Sequence, residues 1–540
     1  MKQQQALTLE EIQGFEGKYP KQLWALFFSE MWERFCFYGM RGVLTYFMVT
    51  HLILADGGHM TASQANLQYG ATQAFVYAFT FIGGLFADKI LGFRRSLFWG
   101  ALLMIIGSAI LAFDPFPEYQ FFLGISFTVV GTGFFKPNIS TMVGQLYKTG
   151  DTRRDAGFSL FYSGINIGAL LGGYGCIAIG KGQLFSSFIP EDLRWNVAFG
   201  LAGVVMTISL LVFLLTKKNL GPIGFSPFEV KDSDVLSNEG GTVKNDSIEG
   251  TSQAKRLNKG RVLYIATYIG TLLCIPIIMK MVSNTEYTDW FMYIIGPATL
   301  LYLVYEMTRH TWEESKKLIA ALIFIVFSIL FWAFFEQSGG SLSIFAAHNL
   351  NDTVLGSIKL DPNGVNNSAN SVFVIIFAPL IGLLWVALAK KKIEPNTVVK
   401  FGLGFLFLGG GFYVLYLTRF FEVVVGSGIA SLDVFAMAYL VITFGELCLS
   451  PIGLSIMTKL APIKLQGVMM GMWFLASAYG QYVAGILGAG LSEASENASL
   501  PEKLITYTDG YKTLGIYALI AGVVLIAISP LVRKLMGDVK

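Results

Sequence analysis

Charge is scarce in this sequence, and the scarcity narrows the reading before any motif is sought. Asp, Glu, Lys and Arg supply 14% of the 540 residues, against roughly 25% in ordinary soluble domains. The net charge of +3 offers no basic surface for nucleic acid. Only four cysteines are present, Cys36, Cys176, Cys274 and Cys448; all fall in apolar runs and none forms a CxxC pair. That leaves neither a disulfide framework nor a metal site to expect, and nothing implies a cofactor. The four histidines, His51, His59, His310 and His348, lie near the ends of apolar runs, poorly placed for catalysis. HExxH, GxSxG and Walker patterns are missing as well, so an enzyme is not expected. The opening stretch MKQQQALTLEEIQGFEGKYP has no apolar core of the signal-peptide kind, which points to a cytoplasmic N-terminus.

Apolar residues, by contrast, make up 54% of the chain. A hydrocarbon layer about 30 Å thick takes roughly 20 apolar residues per helix. Six runs of that length precede Lys217, near 23–51, 67–88, 95–113, 119–146, 156–180 and 194–216. A polar stretch follows, KDSDVLSNEGGTVKNDSIEGTSQAKRLNKGR, whose Ser, Gly, Asn and charge read as a flexible linker. Two more apolar runs lie near 262–282 and 287–308. The last six lie near 318–346, 371–389, 398–418, 431–458, 466–492 and 511–532. The expected fold is an all-α membrane protein of about 14 spans. Residues 1–216 form one six-helix bundle, 217–316 a linker with two inserted helices, and 317–540 a second six-helix bundle.

Lys and Arg support this layout, because short cytoplasmic loops carry their excess. With the N-terminus inside, the inner loops hold Lys89, Arg94, Arg95, Lys148, Arg153 and Arg154, and later Lys390, Lys391, Lys392, Lys459 and Lys464. The outer loop DPFPE (114–118) has no Lys or Arg. Both termini then lie in the cytoplasm, and the short polar ends suit a bacterial inner membrane. Two joined bundles of six resemble the major facilitator fold, whose halves rock about a central site. GLFADKILGFRR (84–95) resembles the D-x-x-x-G-x-R loop of that superfamily through Asp88, Gly92 and Arg94. Gly164, Gly168 and Gly172 repeat every fourth residue, a spacing that lets another helix approach closely.

The few charges that do occur inside apolar runs carry the functional argument. SEMWERFCFYGMRG (29–42) puts Glu30, Glu33, Arg34 and Arg41 in the first span. Lys136 lies in the fourth, Glu336 in the seventh and Glu446 in the tenth. A charge at bilayer depth costs several kcal/mol unless it is paired or faces water, so these groups are expected to point into the bundle. One such pair can merely hold helices in register, but seven groups from both halves exceed that need. Four acids stand against three bases, which favours a proton shared among the glutamates and an Arg41–Glu336 bridge that protonation opens. Arg34 and Lys136 suit a carboxylate, and Glu446 suits an ammonium, so the site fits a zwitterion. Tyr38, Tyr77, Trp332 and Trp473 fall at similar depth. Each alone is ordinary packing material; together with the charges they suit a cavity for varied side chains. Pro137 and Pro451 favour bends beside these groups.

Glu30-Met-Trp-Glu33-Arg34-Phe35 resembles the E-x-x-E-R-F motif of the proton-dependent oligopeptide transporter (POT, or PTR) family. FSLFYSGINIGAL (158–170), GTGFFKPNIS (131–140), FWAFFEQSGGS (331–341) and GELCLSPIGLS (445–455) resemble further segments of that family, so the likeness covers both halves. It implies a proton-coupled symporter that imports di- and tripeptides by alternating access, working as a monomer. It implies proton coupling at Glu30, Glu33 and Glu336, with Arg41 paired to Glu336. The peptide carboxylate is then expected toward Arg34 and Lys136, and the amino end toward Asn166, Asn370 and Glu446. Tyr38, Tyr77, Trp332 and Trp473 match pocket-lining aromatic positions. Two features depart from the pattern: Phe37 stands where relatives often have a tyrosine, and LQYGATQAF carries no histidine. The alternatives are the same fold carrying another small solute such as nitrate, or a peptide receptor that does not transport.

Overall fold

The computed structural model describes residues 7–148, 150–229, 253–449, 453–462, 465–493, 498–537 and 539. Pro451, Lys464 and most of the expected linker (230–252) lie outside the described residues. Seven helices come before the linker: α1 (Leu9–Gln13), α2 (Lys21–Thr50), α3 (Ala62–Phe86), α4 (Phe93–Phe113), α5 (Glu118–Gln145), α6 (Arg153–Gly180) and α7 (Arg194–Thr216). A hairpin follows, α8 (Gln253–Ser283) and α9 (Thr285–Arg309). The remainder is α10 (Trp312–Phe335), α11 (Ser341–Asn349), α12 (Pro362–Lys390), α13 (Thr397–Leu417), α14 (Leu432–Leu449), α15 (Gly453–Leu460), α16 (Gln466–Glu493) and α17 (Leu500–Met536). Among the described residues twelve spans qualify for a bilayer by length and hydropathy, so the chain is a multi-pass membrane protein. α2 and α5, of 30 and 28 residues, are the helices that carry Glu30, Glu33, Arg34, Arg41 and Lys136.

Local chemistry sets the helix ends. Thr61 and Thr311 cap α3 and α10 through capping boxes with Gln64 and Glu314. Asp361 accepts a hydrogen bond from the Gly364 amide at 2.7 Å and starts α12 nine residues before the expected span. The polar turn PNGVNNSAN is helical because this cap satisfies its first amides. Likewise QAKRLNKGR, expected as linker, is the first part of α8, being rich in good helix formers.

The expected seventh span is broken. α10 stops at Phe335, residues 336–340 form a tight turn, and α11 resumes at Ser341. The break lies against α2, α3 and α12. Thr45 donates to the Gly339 carbonyl, Asn366 Nδ2 donates to the Ser338 carbonyl at 2.7 Å, and a β-carbon at Gly339 would collide with the Tyr69 hydroxyl. Irregular backbone at membrane depth survives where protein groups satisfy it, as here.

Buried apolar side chains gather in two large clusters, one running from Ile12 to Val282 and the other from Leu303 to Met536. The two regions touch most intimately where α3 meets α16. A β-carbon at Gly70 would sit 2.7 Å from Gly485 Cα, and one at Gly485 would sit 2.8 Å from Gly70 Cα. Further bonds cross between them toward the end of the bundle away from the termini. Asn66 Nδ2 donates to Ser492 Oγ at 3.0 Å, Asn367 Nδ2 donates to the Gly42 carbonyl at 3.3 Å, and Lys181 Nζ pairs with Asp361 Oδ2 at 2.9 Å. This far end is closed. At the opposite end Arg94, from the D-x-x-x-G-x-R loop, donates to the carbonyls of Ile223 at 2.7 Å and Gly221 at 2.6 Å. Gly92 there has φ +73° and packs on the backbone of Phe225 and Ser226, which only glycine permits. The loop therefore fastens the chain leaving α7.

Candidate functional site

The glycine spacing in α6 fixes where the first charges stand. A β-carbon at Gly168 would collide with the Met31 carbonyl and lie 2.9 Å from Arg34 Cβ, and one at Gly172 would lie 2.8 Å from Phe35 Cα. α2 thus lies backbone-to-backbone on α6, and its next face turns inward. Arg34 Nε is 2.9 Å from Glu30 Oε1 and 2.6 Å from Glu33 Oε2. Arg34 is 2% exposed and Glu33 is fully buried. These approaches are close in distance but poorly aimed. Arg34 Nε and Nη2, Glu30 Oε2 and both Glu33 oxygens have no hydrogen-bond partner. A buried donor left unmet costs about 1–3 kcal/mol, more when charged, so the cluster has capacity for another polar group.

Lys136 of α5 continues the cluster. Its Nζ lies 4.5 Å from the ring centre of Tyr77 and 5.9 Å from that of Phe37, while Arg34 lies 5.6 Å from Phe37. Phe37 therefore lies near both cations, and Pro137 follows Lys136 within the helix. The opposite half presents an acid. Asn370 Nδ2 donates to Glu446 Oε2 at 2.8 Å and to Thr443 Oγ1 at 3.2 Å. Asn166 instead donates to the Tyr162 carbonyl of its own helix at 2.9 Å. The neighbouring Tyr162 is the α6 side chain within electrostatic reach of Glu446.

Arg41 and Glu336 meet. Arg41 Nη2 pairs with Glu336 Oε2 and also reaches Ser338 Oγ at 3.3 Å, while its Nε donates to Tyr69 Oη at 2.8 Å. The ring of Tyr38 lies 5.6 Å from the same guanidinium. This set joins α2 and α3 to the break after α10. The two tryptophans are less central. Trp332 packs on Phe331 and Phe335 with ring centres 5.5 and 5.4 Å away, and Trp473 is buried in the second core cluster beside Gly453. Tyr69, Ser338, Thr443 and Tyr162 had not been singled out from sequence. Tyr69 stands in LQYGATQAF, a stretch noticed only for lacking histidine; a phenol beside a helix-contact glycine was its signal. Among the described residues no three His, Cys, Asp or Glu side chains converge as metal ligands would. Chemically, the arrangement offers two cations on one side, an acid with an amide on the other, and an ion pair bridging the halves.

Known proteins resemble this chain over nearly its whole length. Residues 94–504 match the sequence pattern described as the POT family. A peptide transporter, YePEPT, of Yersinia enterocolitica subsp. palearctica serotype O:3 (strain YE-P4) is 34% identical over 532 residues, covering 96% of each chain. A di-/tripeptide transporter of Lactococcus lactis subsp. cremoris is 31% identical, covering 96% of this chain and 97% of its own. Among solved structures, a POT family transporter in complex with a thioalcohol-conjugated peptide superposes with a TM-score of 0.75. It is 28% identical, and the match covers 98% of this chain and 99% of that one.

Proposed function

Because the chain belongs to the POT family, we propose that its buried charges bind a short peptide and a proton together. The protein is a peptide transporter, carrying di- and tripeptides with protons. One observation supports the finer reading: two cations, Arg34 and Lys136, stand in one half, while Glu446, tied to Asn370, stands in the other. A peptide with free ends presents a carboxylate and an ammonium group at once, so it engages both halves. An anion such as nitrate would bring no ammonium group for Glu446, which would keep only its Asn370 amide.

In the cycle we assign, the far end of the bundle faces outside and both termini face the cytoplasm of a bacterial inner membrane. Arg34 and Lys136 hold the peptide carboxylate, Glu446 and Asn370 hold the amino end, and Asn166 steadies Tyr162 beside them. Tyr38 and Tyr77 line the side-chain space, with Trp332 and Trp473 behind it. Glu30 and Glu33 share Arg34, so a carboxylate arriving at Arg34 favours protonation of one of them. Glu336 takes the other transferred charge. Once protonated it releases Arg41, and the far end parts. Residues 1–216 and 317–540 act as the two moving halves, with 217–316 as an insertion. A single copy holds every group named, so a monomer suffices. Binding and gating use these groups fully, with no catalytic step among them.

The test is uptake of labelled dialanine into liposomes holding the purified protein, with and without an inward proton gradient. Gradient-dependent uptake that excess dipeptide suppresses is the expected result. Failure of a folded preparation to accumulate dialanine under the gradient would overturn the reading.

A further inference from the structure

The hairpin α8–α9 is thinly packed yet makes specific polar contacts with both halves. Trp290, Tyr293 and Ile294 of α9 are each more than 60% exposed, so apolar burial alone fixes this helix weakly. On one side Gln68 Nε2 of α3 donates to the Ser283 carbonyl at 2.7 Å. Phe75 of α3 meets Phe291 with ring centres 5.4 Å apart, and Trp99 of α4 meets Tyr268 of α8 at 4.6 Å. On the other side Tyr482 of α16 donates to Asp289 Oδ1 at 2.5 Å. Tyr479 of α16 donates to the Met292 carbonyl, and a β-carbon at Gly296 would collide with its hydroxyl.

Asp289, Phe291 and Met292 belong to one turn of α9. That turn therefore touches α3 and α16 together, next to the Gly70–Gly485 contact where the halves meet. Ala74, Met292, Ala478 and Tyr482 form a small buried cluster of their own at this point. The contacts lie in the half of the bundle toward its closed far end. We infer that the hairpin is a strap across the α3–α16 seam, holding the far end closed through the Tyr482–Asp289 hydrogen bond. Splaying the far end draws Gln68 and Phe75 away from Tyr479 and Tyr482, and one rigid turn cannot follow both. A bond to a carboxylate is stronger than a neutral one, and this one must break or drag for the far end to open. The inference rests on the two halves moving, as the transport reading has it.

The experiment measures far-end separation by pulsed electron spin resonance between labels at Tyr119→Cys and Val425→Cys, both exposed positions. Cys274→Ser removes the one native thiol that is not buried. Distances are read in lipid nanodiscs without peptide or gradient, so failure here is separate from failure of transport. Tyr482→Phe and Asp289→Ala should each raise the ratio of long to short distances about tenfold, and the double variant no further. Should Asp289→Ala fail to fold, Tyr482→Phe, which loses one hydroxyl, still decides. An unchanged ratio, with or without lower thermal stability, would mean the hairpin is only packed there. Additive effects in the double variant would overturn the assignment to this bond.

Discussion

Arg34 and Arg41 stand two turns apart on one helix, and their surroundings differ in kind. Arg41 has Glu336, Ser338 and Tyr69 within hydrogen-bond distance, drawn from both halves. Arg34 has two glutamates from its own helix at ion-pair distance, yet its Nε and Nη2 point at no acceptor. Both side chains bear the same charge and both are shielded from water. The difference teaches how a buried cation's task is read from its geometry. A guanidinium whose donors are met by the protein joins parts of the protein. One whose donors are unmet has capacity for a group that arrives.

The largest expected effect tests the unmet cation. Arg34→Ala should raise the dialanine concentration for half-maximal uptake about 100-fold, since a charged hydrogen bond is worth about 1.5–3 kcal/mol and Arg makes more than one. A rise below about threefold would show that Arg34 merely pairs its helix, and the contrast would collapse. Arg41→Gln comes next. Gradient-driven uptake should fall about tenfold or more while peptide binding, followed by calorimetry, stays within about threefold, because breaking a buried pair destabilises what it joins. Glu336→Gln should match it, and the double variant should be no worse. Weaker binding in Arg41→Gln would make it a ligand residue like Arg34. Smallest is Tyr69→Phe, which removes one of three partners: about fivefold slower uptake is expected, at about 1 kcal/mol for one hydrogen bond. Rates equal to the parent would mean Glu336 alone sets the gate.

How much of this was legible in the sequence varied by element. Charges inside apolar runs announced themselves, because membrane depth makes each one expensive, and the Arg41–Glu336 pair was legible although 295 positions separate its members. The Gly164–Gly168–Gly172 spacing foretold a close helix contact, though not that α2 would fill it. The break at 336–340 was hidden, since FWAFFEQSGGS is apolar enough to pass as continuous helix and its free carbonyls are satisfied by Thr45 and Asn366, far away in sequence. Tyr69 was hidden for the same reason: a tyrosine in an apolar run looks like packing until its hydroxyl is seen against Arg41. The early start of α12 depended on Asp361, whose capping role a single-sequence reading can find but whose bond to Lys181 it cannot. Trp473, expected at the pocket wall, has one edge of its ring against Gly453.

The meeting of Gly70 and Gly485 has a mechanical meaning. Most helix pairs interlock through side chains, and moving one past the other means lifting each knob out of its hole. Here two bare backbones lie against each other with no side chain between them at that level, while Asn66, donating to Ser492, ties the same two helices farther along. Such a surface behaves as a plain bearing. It transmits load at close range, resists separation through the many weak contacts of a tight fit, and yields to rolling at little cost. A carrier that must change shape on every turnover while keeping its halves sealed against ions needs a joint of that sort, and a single methyl group would be grit in it.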